Sequence, residues 1–317
     1  MNRSRTRRRT AYRATNRPWQ SVLLVLVAVI AAVGILGTAG TVAAVGYYSQ
    51  GLPSLDQLKA GNLDQTTRIY DRQGTPITSF YVENRTIVTL AKIAPVLRDA
   101  TISVEDRNFY SHQGVDFRRV AIALGYNLTH RNSVIGGSTI TQQLIKNDVL
   151  CATCATGGTS GTGDPTFSRK MRELLLAEEL ERRYSKQQIL ELYLNSIFYG
   201  NRAFGIEAAA QTYFGVPAAS LTLPQATFLA GLPQAPSAYY PFGTGTQKQV
   251  GKDRWDQVLA SMVANHKISQ AAADAAGKTD IWTTMTTRHK AVGSGPDALT
   301  GHFVDYTVQY LKDHGYD

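Results

Sequence analysis

Cysteine is nearly absent from this chain of 317 residues, which contains only Cys151 and Cys154. No second pair exists to complete a four-ligand zinc site, and the nearest histidine is His130. A disulfide-rich scaffold is therefore excluded, and half of a metal site is the least favoured use of the pair. A short-range disulfide and two free thiols both stay open. The low-complexity residues 155–163 that follow give no indication of function.

Acidic residues are absent from residues 1–18, which contain seven arginines. The formal net charge of the chain is +9, and subtracting these seven leaves only +2 for the remainder. The basic balance therefore describes a short tail. It gives no indication of a nucleic-acid-binding surface, and we expect no nucleic acid among the partners.

Charge of either sign is absent from residues 22–45, which are mostly Val, Leu, Ile, Ala and Gly. Such a run, as a helix, is longer than the ~30 Å hydrocarbon layer of a bilayer. The alternative, a signal peptide, has a shorter apolar region of about 7–15 residues. We predict a cytoplasmic tail at 1–18, one transmembrane helix at 19–48 and a linker at 49–65, with the rest of the chain outside the cell membrane. In that oxidising compartment a disulfide is slightly favoured over free thiols.

Strand–helix alternation is also lacking, which argues against a doubly wound fold. Residues 66–90 alternate as strands do and predict one β-hairpin around a turn at 71–74. Helical periodicity follows, and Glu105 is expected near the end of a helix that starts at Pro95. Capping signals are Asp116, Asp164 with Pro165, and Ser185 with Gln188. A long helix is expected from Asp164-Pro165 to about residue 183 and another after Ser185. Further helices are expected at about 205–214, 223–231, 247–264 and 298–313.

The segment GGSTITQQLIKN, residues 136–147, has an unusual polar pattern. Ser138 is a suitable N-cap. On the helix that follows, Thr139, Gln142, Gln143 and Lys146 share one face. Free N–H groups at the helix start, with the lysine two turns on, would suit an anion such as a phosphate. The alternative is an ordinary capped helix with a solvated polar side.

Three motifs carry a family resemblance. They are E-D-x-x-F-x-x-H-x-G from Glu105, G-G-S-T-x-x-Q-Q-x-x-K-N from Gly136, and R-K-x-x-E from Arg169. Together they resemble the peptidoglycan glycosyltransferases, the transglycosylase module of class A penicillin-binding proteins and of their monofunctional relatives. The resemblance runs from about Ile69 to Leu311. One departure is Gln225, where relatives usually have Glu. Further matches include Ser185-Lys186, Ile189 to Glu191, Tyr193 to Asn195, Tyr213 to Gly215 and Leu229 to Pro241.

This resemblance implies a mainly α, lysozyme-like glycosyltransferase domain with a small β-hairpin, over residues 66–297 and preceded by the transmembrane helix. The implied reaction joins lipid II to the growing lipid-linked glycan through β-1,4 bonds, with inversion and release of undecaprenyl pyrophosphate. The implied partners are these substrates, the bilayer, and divisome or elongation proteins. No organic cofactor is expected.

The resemblance assigns two catalytic carboxylates. Glu105 is the candidate general base; a helix-end cap or a surface charge is the alternative. Glu173 positions the sugar phosphates, directly or through a divalent cation, Mg or Mn; an ordinary helix-surface ion pair is the alternative. His112 is expected to act through hydrogen bonds rather than as a catalyst. The candidate substrate-binding residues are Asp106, Phe109, His112, Gly137, Ser138, Thr139, Gln142, Gln143, Lys146, Asn147, Arg169 and Lys170.

Three cations near the motifs favour a transferase over a hydrolase. A glycosidase must protonate a poor alkoxide leaving group, whereas a pyrophosphate leaves as an anion and needs positive charge. Lys146, Arg169 and Lys170 would supply that charge. A membrane-anchored muramidase and a non-catalytic wall scaffold remain the alternatives.

Two further expectations concern the apolar helix after Asp116 and the chain end. The helix, with Val120, Ile122, Ala123, Leu124 and Leu128, is either a core helix or a surface pressed into the bilayer, and the resemblance favours the bilayer. S-x-x-K and K-T-G are absent, so no transpeptidase chemistry or penicillin binding is expected. We expect residues 298–317 to begin a linker toward a further domain; a self-contained domain that ends in an amphipathic helix is the alternative.

Overall fold

The computed structural model describes residues 45–58, 65–70, 72–74, 76–80, 83–130, 136–150, 166–239, 241–242, 245–285, 306, 309–310 and 313–314. The chain divides into two compact units, which meet in sequence between Gly51 and Leu52. Within the described residues, no helix combines the length and the apolar character that a membrane crossing requires. Most of the predicted transmembrane segment, both cysteines, Asp164 with Pro165, and most of the predicted helix at 298–313 lie outside the described residues.

The second unit is mainly helical, as the sequence predicted. The helices with α geometry are α1 (Pro95–Glu105), α2 (Phe117–Thr129), α3 (Ile140–Leu144), α4 (Thr166–Arg183), α5 (Lys186–Ser196), α6 (Ile206–Phe214), α7 (Leu223–Gly231), α8 (Gly245–Ala264) and α9 (Gln270–Gly277). Short 3-10 helices lie at Leu55–Leu58, Leu90–Lys92, Phe109–Ser111, Ala218–Ser220, Leu232–Gln234 and Ile281–Thr284. The alanine-rich helix α9 was not predicted, because alanine gives a weak hydrophobic period.

Strands are few and short. β1 (Thr67–Tyr70) and β2 (Pro76–Phe80) form the predicted antiparallel hairpin, with Thr67 opposite Phe80. β3 (Asn84–Arg85) pairs in parallel with β4 (Ala203–Phe204), which the sequence did not indicate. Two-residue strands carry no readable period, so only the tertiary fold reveals them.

Local capping signals fixed several helix boundaries. Asp116 accepts a hydrogen bond from the backbone N–H of Arg119 and caps α2, as predicted. Ser185 and Gln188 form the predicted capping box of α5. Gln225, the departure from the family pattern, serves the same purpose in α7, because its side chain accepts from the backbone N–H of Thr222 at 3.0 Å.

Two local expectations for residues 136–147 were wrong. The N-cap of α3 is Thr139, which forms a capping box with Gln142, and not Ser138. Helix α3 also ends after five residues, and Ile145–Leu150 form a π-helix. The wider turn changes the angular spacing, so Lys146 does not continue the α-helical face of Thr139 and Gln142.

The core is built around α5, in which Ile189, Leu190, Tyr193 and Leu194 are fully buried. Helix α1 packs against α7 and α8, and α3 packs against α4 and α5. These contacts bring the end of α1 to the same region as α3 and α8. The candidate active site lies in this region.

Helix α2 has an exposed apolar face. Phe117 is 77% exposed, Ile122 51% and Leu128 71%, whereas Ala123 is buried. Gly137 covers the inner side of α2, and a Cβ added there would lie 3.3 Å from the Cα of Val120. The alternative of a core helix is therefore wrong.

Candidate active site

Glu105 is the last residue of α1 and is 7% exposed. Its Oε1 accepts a hydrogen bond from a guanidinium NH₂ of Arg254 on α8, at 3.0 Å. Its Oε2 accepts from Nε2 of Gln143 on α3, at 2.8 Å. Its backbone carbonyl accepts from Arg119 on α2. The carboxylate is thus held by two helices that come from distant parts of the sequence.

Gln143 is itself held by the fully buried Tyr193, whose hydroxyl donates to Oε1 of the amide at 3.2 Å. This bond sets the orientation of the amide, so the NH₂ group points to Glu105. Burial raises the pKa of Tyr193, and the charge of Glu105 raises it further. The pKa of the neighbouring Tyr199 is raised by the same two causes. Both hydroxyls therefore stay protonated at neutral pH, and Tyr193 remains a donor.

Asp106 and His112 lie in the loop after α1 and are hydrogen-bonded to each other. Asp106 is fully buried, and its Oδ2 accepts from the backbone N–H of Ile140 at 3.1 Å and from Nε2 of His112 at 2.9 Å. The loop after α1 is thereby tied to the start of α3. The carbonyl of Gly114 adds a second tie, because it accepts from the hydroxyl of Thr139 at 2.6 Å.

Gly114 has a positive φ of 82°, and a Cβ there would lie 2.9 Å from the backbone carbonyl of Ala177 on α4. Only glycine fits such a position without displacing the backbone. The loop that follows Glu105 is therefore pressed against the helix that carries Glu173.

Glu173 lies on α4 and is 2% exposed. Its Oε2 accepts from Nζ of Lys170 at 2.8 Å, and its Oε1 lies 3.4 Å from Nε of Arg169. The same Lys170 Nζ is 3.0 Å from the hydroxyl of Ser138 and 3.4 Å from Oε1 of Gln142. Lys170 thus joins α4 to the start of α3. The alternative for Glu173 was an ordinary ion pair on the helix surface. Its carboxylate is buried, so its pair with Lys170 differs from an ion pair between two exposed side chains.

Helix α3 connects the two carboxylates. Gln143 contacts Glu105, and its neighbour Gln142 contacts Lys170, which binds Glu173. Two adjacent glutamines on one short helix therefore position both halves of the site.

A separate buried network fixes α3, α4 and α5 to one another. The hydroxyl of Thr141 donates to Oε1 of Glu181 at 2.6 Å, and Lys186 donates to the same oxygen at 2.8 Å. The Lys186 ammonium also lies 4.4 Å from the centroid of the buried Phe109 ring. Phe109 therefore packs in the protein interior and fixes there the loop that follows Glu105.

The residues around Glu173 do not suit a divalent cation. A Mg²⁺ or Mn²⁺ site needs several oxygen ligands, and Glu173 is flanked by two cations instead. Among the described residues, no group of three His, Cys, Asp or Glu side chains converges anywhere. Positive charge at this position comes from Arg169 and Lys170.

The predicted site residues separate into two sets. Glu105, Asp106, Phe109, Thr139, Gln142 and Glu173 are buried and contact other parts of the protein. Those that reach solvent, at least in part, are His112, Gly137, Ser138, Gln143, Lys146, Asn147, Arg169 and Lys170.

Sequence reasoning missed Arg254 and Arg119, and gave Tyr193 no role. Arg254 is 149 positions from Glu105. Its one local signal is the buried Trp255 and Val258 beside it on α8, which indicate a helix face turned inward.

Comparisons with known proteins agree with the motifs. A family model described as transglycosylase matches residues 73–263. Penicillin-binding protein 1F of Bacillus subtilis is 38% identical over 242 residues, which cover 75% of this chain and 32% of that protein. Penicillin-binding protein 1A of Pseudomonas aeruginosa is 39% identical over 235 residues, or 74% of this chain and 27% of that protein. A crystal structure of penicillin-binding protein 1A from Haemophilus influenzae aligns with a TM-score of 0.44 at 24% identity, over 80% of this chain and 25% of the other. The chain spans about a third or less of the length of these relatives.

Proposed function

Because this chain belongs to the transglycosylase family, we propose that its second unit is a peptidoglycan glycosyltransferase. Its substrates are lipid II and the growing lipid-linked glycan. It joins them through β-1,4 bonds with inversion and releases undecaprenyl pyrophosphate. Glycosyl transfer, with Glu105 and Glu173 as its two carboxylates, is the function that the site geometry supports best.

In this proposal Glu105 is the general base. Its carboxylate takes the proton of the attacking sugar hydroxyl while that oxygen forms a bond to the anomeric carbon. The hydrogen bonds from Arg254 and Gln143 fix the carboxylate before substrate arrives. Proton transfer to a positioned base contributes about 10²–10⁴-fold to a rate.

The bond between the anomeric carbon and the phosphate oxygen breaks in the same step, and its electron pair leaves with the pyrophosphate. Arg169, Lys170 and Lys146 supply positive charge for that anion, a form of electrostatic stabilisation that needs no proton. Glu173 holds Arg169 and Lys170 in place from the buried side. The expected divalent cation stays a prediction and has no part in this scheme.

The observation that carries the proposal is the position of α3. Its two glutamines join the base Glu105 to the cations around Glu173. A base on one side and cations on the other are what transfer to a hydroxyl with an anionic leaving group requires. Hydrolysis by a muramidase would instead need a proton donor at the leaving oxygen.

We also propose that the protein works at the bacterial cell membrane, with its amino terminus in the cytoplasm. The exposed apolar face of α2 then lies against the bilayer and brings the site close to a lipid-linked substrate. Divisome or elongation proteins remain expected partners.

Incubation with labelled lipid II tests the function, and the product is divided and treated with or without a muramidase. We expect polymer that the muramidase digests, formed by the wild type and at least about 100-fold more slowly by Glu105→Gln. Glu178→Gln, an exposed acid on α4, is the control and should match the wild type. Near-normal polymer from a folded Glu105→Gln protein would remove the base from the mechanism.

A further inference from the structure

A polar cavity that the proposed reaction does not use lies between the end of α1 and the start of α2. Its volume is about 170 Å³. Three arginines line it: Arg107 from the loop after α1, and Arg118 and Arg119 from the first turn of α2.

The cavity has an excess of positive charge. Arg107 and Arg118 are exposed, and neither has a hydrogen-bonding or ionic partner among the residues that the structure describes. Arg119 is bound to the carbonyl of Glu105 and is held in place. A lone planar guanidinium on a cavity wall matches the oxygens of a phosphate in geometry as well as in charge.

The one acid in the lining does not cancel this charge. Asp116 accepts from the amide of Asn108 at 2.8 Å and from the backbone N–H of Arg119 at 2.9 Å. Burial by itself would raise the pKa of Asp116, but these two bonds and the charges of His112 and Arg119 together lower it. One occupied carboxylate against three guanidinium groups leaves a net charge of about +2.

The cavity also borders apolar surface. Val104 and Ile122 belong to its lining. Ile122 is 51% exposed, and the same helix also exposes Phe117 and Leu128, at 77% and 71%. An anionic group with hydrocarbon attached would satisfy both features, whereas a free anion would use only the arginines.

We propose that this arginine cavity binds the phosphodiester headgroup of an anionic phospholipid, whose acyl chains lie along the apolar face of α2. The inference rests on the proposed function only in placing the unit at a membrane. It would give the unit a fixed height and orientation on the bilayer, because the headgroup is bound at one end of α2.

Lipid binding without lipid II tests this directly, so its failure is separate from a failure of the glycosyltransferase proposal. The full chain, purified in dodecyl maltoside, is titrated with short-chain phosphatidylglycerol, short-chain phosphatidylcholine or inorganic phosphate, and adducts are counted by native mass spectrometry. The variant Arg107→Gln/Arg118→Gln is compared with Lys92→Gln/Lys278→Gln, which removes the same charge from exposed lysines outside the cavity. The arginine-rich tail is the same in all of these proteins and contributes equally.

We expect the cavity variant to bind phosphatidylglycerol roughly tenfold more weakly than the wild type, and the lysine control to differ little from it. Phosphatidylcholine should bind weakly and equally to all three proteins. Equal phosphatidylglycerol binding by the cavity variant and the control would overturn the proposal. Inorganic phosphate that binds the wild type as tightly as phosphatidylglycerol would also overturn it, since the cavity would then be a site for bare anions.

Discussion

At the scale of single residues, Glu105 and Arg254 form a charged pair inside the candidate active site. Their side chains are 9% and 11% exposed, so the two charges are largely removed from water. Removal of one member of such a pair leaves the other unpaired, which is costly. In the proposed mechanism Arg254 is therefore expected to hold the base rather than to contact substrate.

A substitution at Arg254 tests that role. Arg254→Gln keeps a donor but loses the charge, and a hydrogen bond to a charged group is worth about 1.5–3 kcal/mol. We expect kcat for lipid II polymerisation to fall about 10–100-fold with KM nearly unchanged. Arg182→Gln, which breaks an exposed ion pair on α4, is the control. If the Arg254 variant changed KM alone, the arginine would be a substrate ligand instead.

At the scale of secondary-structure elements, α4 and the π-helix at Ile145–Leu150 carry the cations. Arg169 forms an ion pair with Glu173, with 3.4 Å between Nε and Oε1, whereas Lys146 is exposed and has no ionic partner among the described residues. In the proposed mechanism a cation held by an ion pair is oriented before the pyrophosphate develops charge, so it is expected to stabilise the transition state more effectively.

Two alanine variants compare these elements. We expect Arg169→Ala to lower kcat/KM for lipid II by roughly 100-fold and Lys146→Ala to lower it by a smaller factor. Lys278→Ala, an exposed lysine beyond α9, is the neutral reference. Equal rates for all three variants would show that the motif cations only solvate their helices.

Helix α2 gives a second prediction at this scale. The unit without Met1 to Tyr48 should still bind liposomes, because α2 exposes large apolar side chains. Ile122→Ser with Leu128→Ser should weaken binding by roughly 100-fold, since burial of one such side chain contributes about 1.5–3 kcal/mol. Val250→Ser, an exposed apolar residue of α8, should have no effect. A truncated unit that never sediments with liposomes would contradict the role of α2.

At the scale of the whole molecule, Asp148 links pH to stability. It lies on the π-helix, and burial raises its pKa to about 6, with Glu83 adding a little, while a hydrogen bond with Ser196 and the charge of Arg85 oppose the rise. Between its ordinary pKa and about 6 the folded state binds more protons than the unfolded state. The free energy of unfolding therefore falls as pH rises through that window and is level above it.

Asp148→Asn should remove this dependence. The free energy of unfolding of the variant minus that of the wild type should be higher at pH 7 than at pH 4, by on the order of 1–2 kcal/mol. Urea unfolding at both pH values measures it, with the exposed Asp313→Asn as reference. A stability difference between variant and wild type that is the same at pH 4 and pH 7 would show that Asp148 does not titrate in this range.

Features that depend on neighbours along the chain could be predicted from the sequence. The caps at Asp116 and Ser185, the hairpin of β1 and β2, and the end of α1 at Glu105 all depend on residues within a few positions of one another. The ordered motifs were enough to identify the family. The lysozyme-like comparison and the transmembrane helix stay predictions.

Which side chains meet depends on how helices that are distant in the sequence pack against one another. Glu105 and Arg254 are 149 positions apart, and their pairing depends on the packing of α1 against α8. The change from Ser138 to Thr139 as N-cap follows from the hydrogen bond of Thr139 to Gly114, 25 positions away. The π-helix that contains Lys146 could not be predicted either, because the sequence pattern was read as one continuous α-helical period. A hydrophobic pattern shows that a helix face is buried, but not which other element packs against it. The chemistry of the site depends on the side chains that this other element supplies.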